Sequence, residues 1–315
     1  MTRPRRTRAG SGTGSLGRRM GPRRYVAAVR RRLRPTPPAE ASAGPAPDWV
    51  ATAPSPWDEA TKAERRATAW CNICRWTGAA FEGPQHCEFA TCPQCGSIAR
   101  DRFLFWSFVE RSAPSLRARL LETSPRMGEA YRRAMARWFT YTCSDFDERA
   151  HQGTVRIDLQ AIDLPDASLD VLLTPHVLEH VPETDTALRE IHRVLAPGGR
   201  MYLQVPLLQG ATAPPTEPEF HGDDTPVFWR FGPDLTARLR DHGFETVLCC
   251  TEDWKRRVDA GDAEWGAATS REFDVTSLLG GSVADDLVAI ADDAQAARLG
   301  FVPSYMFLTF EARKG

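Results

Sequence analysis

Two pairs of cysteines with the spacing Cys-x-x-Cys constrain this chain more than any other feature. Cys71 and Cys74 form the first pair, Cys92 and Cys95 form the second, and 17 residues separate the pairs. Two intervening residues let both thiolates of a pair point at one ion, and a second pair completes the tetrahedron. We therefore expect a four-cysteine zinc ribbon, with redox cysteines as the alternative. Because four protein ligands fill the coordination sphere, the ion should be structural rather than catalytic.

The charge is distributed unevenly along the chain. Residues 1–35 contain 12 arginines and no acidic residue, whereas the net charge of the whole chain is −1, so the other 280 residues carry −13. An acidic body of this kind has no overall attraction for nucleic acid. No apolar run reaches the roughly 18–20 residues that span a bilayer. No apolar stretch follows the N-terminal arginines, so we expect no secretory signal and a cytoplasmic protein.

Composition divides the chain into three predicted parts. Residues 1–56 have the composition of a disordered basic tail and a Pro/Ala-rich linker, and residues 57–112 hold the ribbon with flanking helices at about 58–68 and 97–112. From residue 113 to 315 strands alternate with helices, which predicts a mostly parallel sheet covered by helices on both faces. The predicted strands are 119–123, 138–143, 154–157, 169–174, 200–205, 245–249 and 305–312, and the predicted helices of this part are 125–136, 184–195 and 234–240.

The segments LPDASLDVLL, HVLEHV and RVLAPGGRMYL follow one another between Ile157 and Pro206. Their order and spacing resemble the class I S-adenosylmethionine-dependent methyltransferases of the methyltransferase type 11 kind. The resemblance covers roughly residues 115–315 and implies a Rossmann-like sheet whose last strand is antiparallel, with S-adenosylmethionine as cofactor. The ribbon in front resembles that of bacterial methyltransferases, some of which are linked to polysaccharide or secondary-metabolite pathways. A different zinc-ribbon group methylates ribosomal RNA.

The resemblance implies a cofactor site in the loops that follow the first three strands. Glu122 lies where the family has an acidic residue, and Ser124 opens a loop that departs from the family by lacking its glycines. Asp145 matches the acid that accepts hydrogen bonds from both ribose hydroxyls. Asp158, with the neighbouring backbone of Leu159, matches the position that contacts the adenine ring.

The candidate catalytic residues lie just past the fourth predicted strand. Methyl transfer is an in-line displacement at a sulfonium carbon, so the protein must align the acceptor, remove its proton and exclude water. His176 matches the residue that borders the methyl group and the acceptor, and it is both a cofactor contact and the best-placed base. Glu179 and His180 are expected on the opening turn of the next helix, with His180 as the second candidate base. Residues 207–233 are predicted to form part of a substrate wall or lid.

These features favour a methyltransferase that acts on a small molecule or a glycan precursor and has a structural zinc ribbon. The second hypothesis is an RNA methyltransferase that holds RNA with its ribbon and Arg-rich tail; the acidic body makes nucleic acid the less favoured partner. The third is a catalytically inactive binding or scaffold protein, which the missing glycines suggest and the retained Asp145 and Asp158 oppose. A zinc-ribbon transcription factor is least favoured, because it leaves two thirds of the chain unexplained.

Overall fold

The computed structural model describes residues 69–83, 90–147, 155–207, 211–221, 224–252, 255, 259–260, 287–299 and 308–315. Its strands are β1 (Ala69–Trp70), β2 (Thr77–Gly78), β3 (Arg119–Thr123), β4 (Thr140–Asp145), β5 (Val155–Arg156), β6 (Leu169–Pro175), β7 (Leu195–Gln204), β8 (Glu219–Phe220), β9 (Pro226–Val227), β10 (Phe244–Thr251), β11 (Leu287–Ile290) and β12 (Thr309–Lys314). Its helices are α1 (Ala99–Ser112), α2 (Glu129–Trp138), α3 (Thr184–Val194), α4 (Leu235–Asp241) and α5 (Asp293–Leu299), with a 3-10 turn at Leu178–His180. None of the helices in these ranges combines the length and apolarity that crossing a bilayer requires.

Eight strands form the central sheet in the order β11-β10-β12-β7-β6-β3-β4-β5. The neighbours from β5 to β7 are all parallel, whereas β12 runs antiparallel to both β7 and β10. This confirms the predicted mostly parallel sheet with an antiparallel last strand. The strand order reverses at β3, with β4 and β5 on one side and β6 and β7 on the other. In such sheets a ligand binds beyond the carboxyl ends of the strands at the reversal, so β3, β4 and β6 define the crevice.

The two faces of the sheet bury different helices. On one face, α3 contributes Ala187, Leu188, Ile191 and Val194, whose helical spacing places them on one side against the sheet. Acidic Asp185 in the first turn and basic residues in the last turn suit the helix dipole. The opposite face is covered by α1 and α2.

The cysteine ribbon has no hydrophobic core separate from that opposite face. Cys71, Cys92 and Cys95 belong to the same buried cluster as Phe108 of α1 and Tyr202 of β7. The rings of Phe108 and Tyr202 meet edge to face at 5.7 Å between centroids. The ribbon and the sheet therefore stabilise each other through shared apolar contacts. The predicted boundary at residue 112 stays a prediction.

The side chain of Arg102, on α1, binds backbone carbonyl groups of the ribbon. Its guanidinium donates to the carbonyl oxygens of Ser97 and Ala90 at 2.6 and 2.7 Å, and its Cζ lies 3.7 Å from the centroid of the Phe81 ring. A buried guanidinium held in this way has hydrogen-bond partners for a charge that burial would otherwise penalise.

Most predicted elements are present with shifted ends. β3 and the start of α3 agree with the prediction, whereas α2 begins at Glu129 instead of residue 125. β7 begins at Leu195, five residues before its prediction, because the predicted Pro-Gly-Gly turn bulges within the strand: Leu169 pairs with Leu195, but Val171 pairs with Arg200. A Cβ on Gly199 in this bulge would lie 2.8 Å from the Ala196 carbonyl oxygen, which explains the glycine. The sequence reading missed β8, β9, β11 and α5, and the helix predicted at about 58–68 lies outside the described residues.

Candidate active site and metal centre

Two matching turns bring the four predicted zinc ligands together. In the first turn the Arg75 N–H donates to the Cys71 carbonyl, and in the second the Gly96 N–H donates to the Cys92 carbonyl. Arg75 and Gly96 both have positive φ, of 67° and 76°. Arg75 thus adopts the conformation that glycine adopts in the second turn, and its guanidinium lies 4.6 Å from the centroid of the Trp138 ring.

The distances between the sulfur atoms fit a tetrahedral ion. Cys71 Sγ lies 3.7 Å from Cys95 Sγ, and Cys74 Sγ lies 3.6 Å from Cys92 Sγ. Zn–S bonds of about 2.3 Å place the sulfurs of a tetrahedron about 3.8 Å apart, whereas a disulfide would require about 2.05 Å. The four cysteines are free thiols with one ligand atom each within 4.8 Å of the others. The donor set and its size suit zinc.

Ser124 occupies the first position of the loop after β3 in a conformation that favours glycine. Its φ is 48°, its N–H donates to the Ser144 carbonyl at 2.6 Å, and its hydroxyl donates to Asp145 Oδ2 at 3.1 Å. The loop therefore makes the sharp turn expected of a glycine-rich segment without the glycine, at a cost of about 1–3 kcal/mol in backbone strain. The loop and the carboxylate after β4 are joined at the strand-order reversal.

The predicted adenine-binding segment forms a closed turn after β5. Asp158 Oδ1 accepts hydrogen bonds from the backbone and side-chain nitrogens of Gln160, at 2.9 and 3.1 Å. Gln160 Oε1 in turn accepts from the Glu183 N–H at 3.0 Å, which ties the turn to the start of α3. Leu159 is buried in the core cluster on that face. Both predicted residues are thus held in fixed positions at the carboxyl edge of the sheet.

Unlike the other predicted cofactor contacts, Glu122 has a carboxylate that is bound by two tyrosine side chains. Its carboxylate is buried and accepts hydrogen bonds from the hydroxyls of Tyr131 and Tyr141, at 2.8 and 2.6 Å. Burial raises the pKa of Glu122 to about 7, and the two tyrosine hydrogen bonds oppose that rise. The carboxylate therefore joins α2 to β4.

Phe146 is a site residue that the sequence reading missed. It follows Asp145 directly, 60% of its surface is exposed, and its ring lies 5.4 Å from the Arg156 guanidinium carbon. An exposed aromatic ring next to the predicted ribose-binding acid is a surface on which a base can stack. The sequence signal that could have identified Phe146 is an aromatic residue directly after Asp145, the acid that ends β4.

His176 and Glu179 meet at the end of β6. His176 has a φ of 52°, and its N–H donates to the Gln204 carbonyl at 2.7 Å. Its Nδ1 lies 3.6 Å from Glu179 Oε1. Burial lowers the pKa of His176 well below its usual value, and the positive charge of Arg100 on α1 lowers it further. Burial raises the pKa of Glu179 to about 8, an effect that Arg100 reduces. Arg100, on the helix α1 that packs against the cysteine ribbon, therefore changes the pKa values of His176 and Glu179.

His180 and Glu179 lie on the separate 3-10 turn rather than on the first turn of α3, where the sequence reading placed them. His180 Nδ1 lies 2.7 Å from the Pro226 carbonyl oxygen, and the rings of His180 and His221 meet edge to face with 4.7 Å between centroids. This meeting of two histidines 41 positions apart depends on the β8–β9 hairpin. Sequence spacing gave no signal for it.

Described residues of the segment after β7 contact the 3-10 turn and the residues before α3, and the role of this segment as a substrate wall or lid stays a prediction. Trp229 Nε1 donates to the Pro182 carbonyl at 2.8 Å, and Phe231 is buried in the core. Phe220 and Phe228 are exposed apolar side chains on the hairpin.

The fold is that of a class I methyltransferase domain, with five parallel strands, a reversal at β3 and an antiparallel last strand. Residues 121–203 match the family described as "Methyltransferase domain".

Known proteins that are similar to this chain in sequence or structure include methyltransferases. The arsenite methyltransferase of Aquipseudomonas alcaligenes is 28% identical over 131 residues, which are 38% of this chain and 37% of that relative, so the match spans well under half of the relative's length. A solved structure of the 1,6-didemethyltoxoflavin-N1-methyltransferase of Burkholderia thailandensis is 16% identical and has a TM-score of 0.41, with 69% of this chain and 78% of that chain covered. A Haloferax volcanii complex of the Trm112 methyltransferase activator with a putative methyltransferase gives 14% identity and a TM-score of 0.42, covering 69% and 90%.

Proposed function

We propose that this chain is an S-adenosylmethionine-dependent methyltransferase whose acceptor is a small molecule or a glycan precursor. The observation that carries the proposal is the position of Asp145: it ends β4 beside the strand-order reversal, and the hydroxyl of Ser124 binds its carboxylate from the loop after β3. A methyltransferase of this class needs an acid at that position, because a carboxylate can accept from two neighbouring ribose hydroxyls.

The cofactor pocket in this proposal uses three of the strand ends. Asp145 accepts from the ribose, the ring of Phe146 packs against the adenine, and the turn of Asp158 and Leu159 borders the adenine edge. Ser124 brings the backbone after β3 close to the cofactor and holds the Asp145 carboxylate. Glu122 acts from behind this loop by fixing Tyr131 and Tyr141. The cofactor supplies an activated methyl group and its own leaving group.

His176 is the first candidate base and His180 the second. The ring of His176 lies at the end of β6, where the sheet edge borders the lid, and it is positioned to take a proton from an acceptor hydroxyl or amine. The lid segment with Trp229 covers the same edge and would exclude water while the acceptor is aligned.

The four-cysteine ion has a structural role in this proposal. All four sulfurs are protein ligands, so no coordination position is left for a substrate. The ribbon's cysteines also belong to the apolar cluster under α1. Loss of the ion would therefore weaken the packing of α1, which carries Arg100, against the sheet.

A test of the acceptor class compares two pools of substrates. The full-length protein is incubated with S-adenosylmethionine and either a mixture of nucleotide sugars and small phenols and amines, or total RNA, and release of S-adenosylhomocysteine is measured. The proposal predicts release with the small-molecule pool that His176→Ala lowers at least about 100-fold, while His242→Ala, at the C-terminal end of α4, keeps it. Release with RNA alone would support the RNA hypothesis instead, and no release from any pool despite cofactor binding would favour the scaffold hypothesis.

A further inference from the structure

A buried carboxylate at the lid edge has no hydrogen-bond donor from any other residue in the described part of the chain. The Glu179 side chain is 2% exposed, and neither Oε1 nor Oε2 accepts a hydrogen bond from another described residue. Its backbone is fixed, because its carbonyl accepts from the N–H groups of Phe228 and Trp229, at 2.8 and 3.2 Å. A buried carboxylate without a donor is costly unless a cation or a proton meets it.

His180 turns its basic nitrogen toward that carboxylate. Because the Pro226 carbonyl oxygen can only accept a hydrogen bond, His180 Nδ1 at 2.7 Å must carry the proton. In the neutral ring this leaves the lone pair on Nε2, which lies 3.9 Å from Glu179 Oε1. Histidines that bind metals nearly always donate their other ring N–H to a carbonyl or carboxylate in this manner.

His221 is the third residue of a candidate three-ligand metal site with Glu179 and His180. One ligand atom each from Glu179, His180 and His221 lies within 4.8 Å of the other two. Metal–ligand bonds of about 2.1 Å bring such atoms about 3.4 Å apart, a closure within reach of side-chain rotation. The hairpin fixes the backbone of His221, whose N–H donates to the Thr225 carbonyl at 2.9 Å.

We propose that Glu179, His180 and His221 bind a divalent transition-metal ion, separate from the ribbon's ion, at the lid edge of the site. Two imidazoles and one carboxylate suit Zn²⁺, Fe²⁺ or Mn²⁺ better than the oxygen-seeking Ca²⁺ or Mg²⁺. Three protein ligands leave a coordination position open, in contrast to the four-cysteine site. An oxygen or nitrogen of the acceptor would take that position, which makes an acceptor with a metal-coordinating oxygen or nitrogen the expected class.

The positive charge of Arg100 should lower the affinity of this site for a metal ion. The guanidinium of Arg100 acts on Glu179 and His176 and disfavours a second cation beside them. The new site should therefore release its ion to a chelator that leaves the four-thiolate ion in place. With His180 as a ligand, removal of the acceptor's proton falls to His176. Ion binding itself rests on these three side chains and not on methyl transfer, so it is measurable without the cofactor.

The test counts metal ions on the full-length protein. After saturation with Zn²⁺ and removal of free metal, elemental analysis should find two ions per chain in the parent protein and one in His221→Ala and Glu179→Gln. His242→Ala is the matched control, because His242 Nε2 also lies near a carboxylate, 3.5 Å from Asp185 Oδ1, but among the described residues no third ligand joins that pair. The control should keep two ions.

Cobalt substitution identifies which site each ion occupies. Co²⁺ in the four-cysteine site should give intense thiolate-to-metal absorption, and the second equivalent should add only weak visible bands that disappear in His221→Ala and after mild chelation. Circular dichroism confirms that each variant is folded. One ion per chain in the saturated parent protein would overturn the proposal, since a proton then neutralises Glu179. A second ion that persists in both variants would overturn it as well, because that ion binds elsewhere.

Discussion

Replacing Glu122 by Gln tests what it costs to bury a carboxyl group behind the cofactor loop. Glu122 is 1% exposed, and its pKa is about 7 in the folded protein against an ordinary 4.5. An unfolded chain loses this proton near pH 4.5, whereas the folded chain keeps it to about pH 7. Unfolding therefore releases a proton between these pH values, and the free energy of unfolding falls as the pH rises through that window.

The pKa difference sets the size of the effect. At about 1.4 kcal/mol for each pKa unit, the difference corresponds to about 3 kcal/mol lost above pH 7, of which about 2 kcal/mol falls between pH 5.5 and 7.5. In Glu122→Gln the amide carbonyl can still accept from one tyrosine hydroxyl, and the amide nitrogen can donate to the other. The variant has no proton to release, so it should gain about 2 kcal/mol relative to the parent across that interval.

Urea unfolding of both proteins at pH 5.5, 6.5 and 7.5, with zinc and a thiol reductant present, measures the difference. Glu129→Gln is the control, because Glu129 is exposed on α2 and its ion pair with Arg133 lies at the surface. The difference between Glu129→Gln and the parent should stay constant with pH. A difference between Glu122→Gln and the parent that is also constant would refute the buried, protonated state of Glu122.

Two further predictions concern the loop after β3 and the ribbon. Ser124→Gly should be more stable to urea than Ser124→Ala by about 1 kcal/mol, because both lose the hydroxyl that binds Asp145 but only alanine retains the strained φ; equal stabilities would contradict the left-handed conformation. Cys74→Ala should lose the ribbon's zinc and lower the melting temperature of the whole chain in one calorimetric transition, because ribbon and sheet share a buried cluster. Two separated transitions would contradict the shared cluster.

The central sheet was predictable because its strands are short apolar runs divided by recognisable loops. β3 and β6 begin at the predicted residues, and α3 follows the helical spacing of Ala187, Leu188 and Ile191. The errors lie where local pattern and tertiary context disagree. α2 begins late because Ser124 turns the chain first, and β7 begins early because pairing with β6 accommodates the bulge before Arg200.

The site was only partly predictable for the same reason. The cysteines could be found from motif spacing, since each motif fixes its own local geometry, and Asp145 was proposed from the family resemblance. The tyrosines that hold Glu122 come from another helix and strand, and the contact of His221 with His180 depends on a hairpin of two-residue strands. Long-range contacts of this kind leave no periodic signal in a single sequence.

Calorimetric titration with S-adenosylmethionine and S-adenosylhomocysteine tests the central claim most directly. The parent protein should bind both ligands at micromolar concentrations. Asp145→Ala should abolish that binding, because the ribose hydroxyls lose a charged acceptor. Asp166→Ala serves as the control, since Asp166 is an exposed partner of Arg193 and should leave binding unchanged. Failure of the folded, zinc-loaded parent to bind either ligand would contradict the methyltransferase assignment and favour a binding or scaffold role.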